Sequence, residues 1–265
     1  MPIQILPATL SDIPTFVDCY MASTRHNPFF TACFPDTPAV RAWFVEMLSA
    51  ELMTEEGSRF LKAVDSEISQ SADGNGEKGK GGDGDGEGEG KIIAFAKWAW
   101  TEDKEEKNGQ EQDPPLPVWP DGADKDLATE FFGMAARKHK SIMRSKSRGK
   151  ERENGRKGHW YLEMLFTYPT HQRRGAGSLL MAEVLSIADE HGDSAYLEAT
   201  PDGNALYRKW GFETVDEVVV SFSVPVTTGD GTGAGAGDKD EDKEMQTQRQ
   251  IRYSNDLMVR RPRKQ

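Results

Sequence analysis

The amino-acid sequence predicts an α/β domain built around a mixed β-sheet. Segments with strand-like and helix-like hydrophobic periodicity alternate along most of the chain, which favours a sheet covered by helices. Two pairs of strand-like segments follow one another without a helix between them, which adds antiparallel neighbours to that sheet. The 265 residues are enough for one large domain with a substantial core, and we treat residues 1–265 as a single domain with inserts.

The N-terminal half predicts two strands and two helices before a long insertion. Ser11 and Asp12 precede a helical pattern, and residues 26–38, rich in aromatic residues and prolines, read as a loop. The order predicted for this half is a strand at 3–6, a helix from 13, a helix at 40–52 and antiparallel strands at 59–64 and 91–100.

The C-terminal half continues the alternation. Residues 159–167 form the strongest strand pattern of the chain, and an amphipathic helix follows them and ends at His191-Gly192. The remaining predicted elements are a helix within 127–143, a strand at 195–199, a short helix ending near Trp210, and strands at 217–224 and 250–259 that pair with each other.

Two tracts of glycine and charged residues interrupt this pattern, at 71–90 and 229–244. Each carries six acidic residues and two lysines, so together they supply −8 of the formal net charge of −11. Because such sequences bury little apolar surface, we expect both to be disordered loops. The acidity of the chain is therefore a property of these loops and indicates no binding surface.

A basic segment lies in the polar insert at 101–158. Residues 137–157 hold ten Lys and Arg residues against two Glu. This pattern is typical either of nucleic-acid contact or of a solvated helix end that runs into a loop. The second interpretation is favoured because no aromatic residue in this segment is available to stack on bases.

Cys19 and Cys33 are the only cysteines, and neither belongs to a Cys-x-x-Cys pair or a Cys/His cluster. A structural zinc or a disulfide framework is therefore not expected, and no metal is predicted. The sequence also shows neither a secretory signal pattern nor an apolar run of membrane-spanning length. We expect a cytoplasmic protein, with the nucleus as an alternative.

The run Gln172-Arg173-Arg174-Gly175-Ala176-Gly177 lies between the strongest strand and its helix. Glycine lets the backbone turn sharply and lets a ligand approach it closely. The unpaired amides and the dipole of the following helix favour an anion, and the two arginines add positive charge. The dinucleotide-binding and P-loop patterns both fail here, since Leu180 replaces a glycine and Ser178 follows Gly177 without a lysine.

With the strand before it and the Leu206-Tyr207 to Gly211-Phe212 stretch after it, this run resembles the GNAT superfamily of N-acetyltransferases, in particular its fungal-type members. The resemblance implies a mixed sheet with helices on both faces, in which the fourth and fifth strands splay apart. A bulge near Leu165 and Phe166 would open a gap for the pantetheine arm of acetyl-CoA, the implied donor substrate. The implied donor-binding residues are Leu165, Phe166, Thr167, Gln172, Arg173, Arg174, Gly175, Ala176, Gly177, Ser178, Thr200 and Tyr207.

The resemblance also implies catalytic roles. Tyr207 falls on the position of the general acid that protonates the departing thiolate, although a half-buried tyrosine that packs its helix on the sheet fits the same pattern. Thr200 and Gly203 stand where relatives often have Asn and Ala. A base must take a proton from the amine, and Glu163 and Glu198, one on each splayed strand, are the candidates. Exposure on a polar strand face explains both glutamates equally well.

The acceptor is left open by the sequence. Five aromatic residues either line an apolar acceptor pocket or simply pack in the core: Phe29, Phe30, Phe34, Trp98 and Trp100. The function predicted is transfer of an acetyl group from acetyl-CoA to a primary amine, with a small-molecule amine as the acceptor. The alternatives are a catalytically silent CoA-binding module and a protein or chromatin lysine acetyltransferase.

Overall fold

The computed structural model describes residues 2–54, 57–69, 90–102, 113, 115–147, 158–225 and 248–263. The glycine-rich tracts, apart from Gly90, and residues 148–157 of the basic segment lie outside this part of the chain. The described residues form seven strands: β1 Ile3–Pro7, β2 Arg59–Ser69, β3 Gly90–Glu102, β4 Gly158–Thr167, β5 Ser194–Ala199, β6 Glu213–Pro225 and β7 Gln248–Arg260.

The described part of the chain also forms six α-helices: α1 Ile13–Thr24, α2 Pro28–Cys33, α3 Pro38–Thr54, α4 Lys125–Ser147, α5 Ala176–His191 and α6 Asn204–Lys209. The short helix α2 lies in the segment predicted to be a loop, so that prediction was wrong. Asn27 caps this helix, because its side-chain oxygen accepts hydrogen bonds from the amides of Phe29 and Phe30, and Pro28 occupies the first turn.

All seven strands belong to one mixed sheet with the order β1-β2-β3-β4-β5-β7-β6. Among these seven described strands, only β4 and β5 pair in parallel, and the two predicted antiparallel pairs, β2 with β3 and β6 with β7, are confirmed. The α/β class and the mixed sheet are therefore confirmed.

Helices cover both faces of the sheet, and each face has its own hydrophobic cluster. Helices α1 to α4 pack on one face, where Phe16, Phe44 and Phe131 are buried. Helix α5 covers the other face through Leu180, Val184 and Leu185, and Tyr207 of α6 joins the same cluster. The two faces thus present different side chains to the junction between β4 and β5.

Candidate active site

Strands β4 and β5 separate after a short stretch of pairing. Their register runs from His159 opposite Ser194 to Leu162 opposite Leu197, and no pairing continues beyond it. Further along, β4 pairs only with β3, and β5 only with β7. The predicted splay of the fourth and fifth strands is confirmed, and it leaves backbone groups on their facing edges without a strand partner.

The bulge that accompanies the splay lies at Glu163, two residues before the expected position at Leu165 and Phe166. In the pairing of β3 with β4, Lys97 lies opposite Met164 and Trp98 opposite Leu162, so Glu163 is the extra residue. The bulge shifts the alternation of side chains along β4. Leu165 therefore packs in the α5 cluster, while Met164 and Phe166 pack on the opposite face.

The glycine run forms a tight turn into α5. Gly175 adopts a φ of 92° and precedes the first residue of the helix, and Arg173 also has a positive φ, 63°. The first amides of α5, from Ala176 to Ser178, have no intrahelical acceptor. Successive turns of this kind direct backbone N–H groups toward a common point that suits an anion.

Two side chains of the run are held by the protein itself. The Arg174 guanidinium pairs with the buried Asp65 of β2 and lies 3.2 Å from the His171 ring nitrogen Nδ1. Burial would raise the pKa of Asp65, but the Glu67 amide and Arg174 together lower it. The Gln172 amide donates to the Thr167 carbonyl at 3.4 Å. These contacts fix the loop, and the Arg173 side chain is exposed.

The glycine turn meets β4 and α6 on the α5 face of the sheet. A Cβ atom at Gly177 would lie 3.3 Å from Leu206 Cδ2 and 4.0 Å from Leu165 Cδ2, so glycine permits this close approach. The three segments that the resemblance singled out therefore converge.

Tyr207 is buried beside this junction, with 8% of its surface exposed. Burial raises the pKa of its hydroxyl, which stays protonated at neutral pH. A Cβ atom at Gly203 would lie 2.6 Å from the Tyr207 ring, so glycine at this position leaves room for the ring. Thr200 accepts a 3.4 Å hydrogen bond from the Gly203 amide and so supports this turn.

Glu198 directly follows Leu197, the last residue of β5 that pairs with β4, and its side chain lies on the face opposite α5. Its two carboxylate oxygens accept hydrogen bonds from the hydroxyl groups of Tyr161, at 2.7 Å, and Tyr196, at 3.1 Å. Burial raises the pKa of Glu198 to about 7, Glu163 adds to the rise, and the two hydroxyls oppose it. A carboxyl group with this pKa exchanges a proton readily at neutral pH.

Glu163, the other candidate base, forms an ion pair. The buried Lys97 ammonium lies 2.5 Å from a Glu163 carboxylate oxygen and 2.6 Å from one of Glu51 on α3. Burial would lower the pKa of Lys97, but the two carboxylates raise it. Glu163 is therefore tied to a cation, whereas the Glu198 carboxylate accepts hydrogen bonds from two neutral hydroxyl groups.

A repeat that the sequence interpretation missed explains this difference. Strands β4 and β5 both carry Tyr-Leu-Glu, at 161–163 and 196–198, and the register places Tyr161 opposite Tyr196. The two glutamates therefore follow the last pair, Leu162 and Leu197, where the strands separate. Glu163 is the bulged residue and pairs with Lys97, while Glu198 accepts hydrogen bonds from both tyrosines.

The five aromatic residues considered for an acceptor pocket do not share one surface. Phe29, Phe30 and Phe34 belong to the cluster of the α1–α4 face, whereas Trp98 and Trp100 belong to the cluster under α5. Phe29 and Trp98 are completely buried. Of the two interpretations that the sequence leaves open for these residues, their distribution over two clusters supports core packing.

Within the described part of the chain, no group of three or more His, Cys, Asp or Glu side chains is placed to hold a metal ion. Among the same residues, no helix combines the length and the apolar character needed to cross a membrane.

The chain is similar to solved acetyltransferase structures. The structure described as histone acetyltransferase HPA2 and related acetyltransferase from Corynebacterium glutamicum is 20% identical, with a TM-score of 0.50 and coverage of 100% of this chain and 99% of that one. This likeness shows the fold. A putative acetyltransferase, yncA from Salmonella typhimurium, solved with its cofactor acetyl-CoA, is 11% identical, with a TM-score of 0.46 and coverages of 100% and 96%.

Arabidopsis thaliana NAA60 in complex with acetyl-CoA is 14% identical, with a TM-score of 0.46 and 98% coverage of both chains. No curated protein matches the sequence significantly. The model of the acetyltransferase (GNAT) family matches residues 87–212, which include the bulged strand, the glycine turn and Tyr207. Together with the splayed strands of the sheet, this match shows that residues 87–212 are similar to the GNAT acetyltransferase family.

Proposed function

We propose that the chain is an acetyl-CoA-dependent N-acetyltransferase that transfers the acetyl group directly to a primary amine. The observation that carries the proposal is the placement of two sets of groups at one strand junction. The glycine turn and Tyr207 lie on the α5 side, and Glu198 lies on the opposite side where β4 and β5 have just separated. Donor and acceptor thus approach the gap from opposite faces.

The donor-binding role of the loop is supported by its backbone. The amides of Ala176, Gly177 and Ser178 and the dipole of α5 suit the pyrophosphate of coenzyme A, and Arg173 adds a free positive side chain at the surface. The unpaired edges of β4, from Leu165 to Thr167, offer hydrogen bonds to an extended pantetheine arm, although Thr167 O already accepts from Ser23 at 2.9 Å. Thr200 lies at the far side of the gap, at the end of β5.

The chemistry assigns one proton to each side of the gap. The amine nitrogen forms a bond to the acyl carbon while the carbon–sulfur bond breaks. Glu198 accepts the proton that the amine loses, and Tyr207 donates its hydroxyl proton to the departing sulfur. The amine must attack in its neutral form, because the ammonium that predominates at neutral pH has no lone pair. A carboxylate with a pKa of about 7 then accepts the one proton that the nitrogen loses as the amide forms.

The acceptor proposed is a small-molecule primary amine. Glu198 is half-buried between Tyr161 and Tyr196, so an amine reaches it only on a narrow arm. A lysine side chain shares that shape, and a substrate panel that includes lysine peptides separates the two classes of acceptor.

Thermal stabilisation by acetyl-CoA tests the donor site directly. We expect acetyl-CoA to raise the melting temperature of the wild-type protein and of Gly175→Ala, which perturbs only the φ of the turn. Gly175→Glu places a carboxylate beside the proposed pyrophosphate, and there the shift should disappear. Release of free thiol from acetyl-CoA with a panel of amines then tests turnover. Equal stabilisation of Gly175→Glu and the wild type would contradict the proposed donor site, and turnover with lysine peptides alone would contradict the proposed acceptor class.

A further inference from the structure

Helix α4, which the sequence places in the insert between two neighbouring strands, reaches the proposed base through His139. The His139 ring stacks on Tyr196 with a centroid distance of 3.9 Å and an interplanar angle of 5°. It also contacts the Tyr161 ring, at 4.6 Å. These are the two tyrosines whose hydroxyl groups donate to Glu198.

A hydrogen bond to the sheet holds the His139 ring in this stack. Its Nε2 atom lies 2.7 Å from Nε2 of His159, a buried residue of β4. Since a hydrogen bond between two imidazoles needs one lone pair, at least one of the two Nε2 atoms carries no proton while it forms. This hydrogen bond fixes the plane of the His139 ring, and the stacked Tyr196 ring lies parallel to it.

Residues of α4 that precede His139 also attach the helix to the sheet and to α2. Lys138 forms a 2.8 Å ion pair with Asp216 of β6, and Phe131 packs against Phe29 of α2, with ring centroids 4.4 Å apart. Helix α4 therefore belongs to the wall of the candidate site.

We propose that His139 is a positioning residue of the active site, whose stacked ring holds the Tyr161 and Tyr196 hydroxyl groups on the Glu198 carboxylate. The proposal rests on the function proposed for Glu198 and deepens it by giving the inserted helix a role in catalysis.

The proposal predicts how the proton on Glu198 responds to the loss of the ring. Hydrogen bonds from neutral hydroxyls stabilise the charged carboxylate, so loosening them makes Glu198 hold its proton more tightly. The other titratable or charged groups around the cluster are His159 and Glu163 on β4, Asp216 on β6, Lys138 on α4 and Lys97 on β3. A change in any of these would also move the titration, so the variants must leave them intact.

The experiment compares three single variants in the full chain. His139→Ala removes the stack, His139→Phe keeps an aromatic ring in it without the hydrogen bond to His159, and Arg137→Ala changes an exposed residue of the same helix. The first readout is the ¹³C NMR titration of the Glu198 carboxyl group, with Glu198→Gln used to assign the signal. It needs no turnover, so it tests the positioning role even if the proposed activity is absent. The second readout is the pH profile of kcat/KM.

We expect His139→Ala to move the Glu198 titration and the acidic limb of the profile upward by about half a pH unit. At pH values below the Glu198 titration, this shift corresponds to roughly a threefold loss of kcat/KM, and at pH values well above it no loss is expected. His139→Phe and Arg137→Ala should titrate like the wild type. An unmoved titration in a folded His139→Ala protein would overturn the proposal, and so would an equal shift in His139→Phe, because the stack is retained there. If the wild type shows no turnover and His139→Ala still shows the expected shift of the Glu198 titration, the result contradicts the proposed function and leaves the positioning role standing.

Discussion

Tyr161 donates a 2.7 Å hydrogen bond to Glu198 from the strand that has just parted from the one carrying the carboxylate. The bond spans the point where the sheet opens, so the same geometry that makes room for a substrate also surrounds a glutamate with hydroxyl groups. Burial outweighs these hydrogen bonds and leaves the pKa of Glu198 near 7. Much of the expected behaviour of the protein follows from that balance.

The first prediction concerns the pH dependence of turnover. If Glu198 is the base, kcat/KM rises with pH through about 7 and reaches a plateau once the carboxylate is ionised. Glu198→Gln should lower kcat/KM by about 10²–10⁴-fold and abolish this limb. Thiol release measured between pH 5.5 and 9 checks it. Glu163→Gln is the matched control. A larger loss of kcat/KM in Glu163→Gln than in Glu198→Gln would show that the base is Glu163 on β4.

The second prediction concerns the stability of the fold. The contribution of Glu198 to the free energy of unfolding falls as pH rises, whereas its contribution to turnover increases. The folded pKa of Glu198 lies above its ordinary value of 4.5, so the folded state binds the proton more tightly than the unfolded one. The contribution of Glu198 is favourable at low pH and is lost as pH rises from about 4.5 to about 7. Relative to the wild type, Glu198→Gln should therefore gain about 1–2 kcal/mol in free energy of unfolding at pH 8 compared with pH 5. Urea unfolding at both pH values measures the difference, and a gain confined to pH 5 would refute the assigned burial effect.

The third prediction concerns Tyr207. Removing its hydroxyl should lower kcat by about 10²-fold or more and leave the KM for acetyl-CoA nearly unchanged, because the proton is needed only when the sulfur departs. Tyr207→Phe keeps the ring beside Gly203, so the melting temperature should also stay the same. Steady-state kinetics check the split between kcat and KM. A loss expressed only in KM would mean that Tyr207 serves binding.

The fourth prediction concerns the buried cation. Lys97→Met removes the buried cation that pairs with both the Glu51 and the Glu163 carboxylates and should cost about 3–5 kcal/mol in free energy of unfolding. The exposed pair of Lys125 with Asp121 gives the control, since Lys125→Met should change stability by less than about 1 kcal/mol.

Urea unfolding of both variants measures the difference. Adding Glu51→Gln and Glu163→Gln to Lys97→Met should restore most of the loss, because the two carboxylates that lose the Lys97 ammonium are then neutral. A Lys97→Met protein as stable as Lys125→Met would show that the triad contributes nothing to the fold.

Much of the fold is predictable because its signals are local. The alternation in 159–167, the glycines at 175 and 192 and the pairing of the last two strands each follow from short-range patterns, and all are confirmed. The loop predicted at 26–38 contains α2, because Asn27 and Pro28 supply a cap and a first turn that the aromatic residues obscured. The glycine turn, β4 and the Tyr207 helix converge as the resemblance implied.

The remaining features depend on contacts between distant residues. The bulge at Glu163 is a matter of register with β3, and no residue within β4 announces it. Asp65 and Lys97, which hold Arg174 and Glu163, lie on other strands. One signal was available in the sequence, since the Tyr-Leu-Glu repeat at 161–163 and 196–198 placed a tyrosine two residues from each candidate glutamate. His139 had no such signal, because a histidine in a basic helix looks like any solvated residue.

The connection between β3 and β4 has a consequence for the order in which the molecule folds. Glu102 pairs with Gly158, so helix α4 lies in the sequence between two adjacent strands, and it docks on β6 and β7, which follow it in the chain. Such non-local closure is slow, and it cannot finish until the C-terminal hairpin exists. The turn before α5 needs none of these late contacts. During folding, or when the hairpin of β6 and β7 opens locally, we therefore expect the proposed donor-binding turn to be formed while the wall that α4 contributes to the site is not.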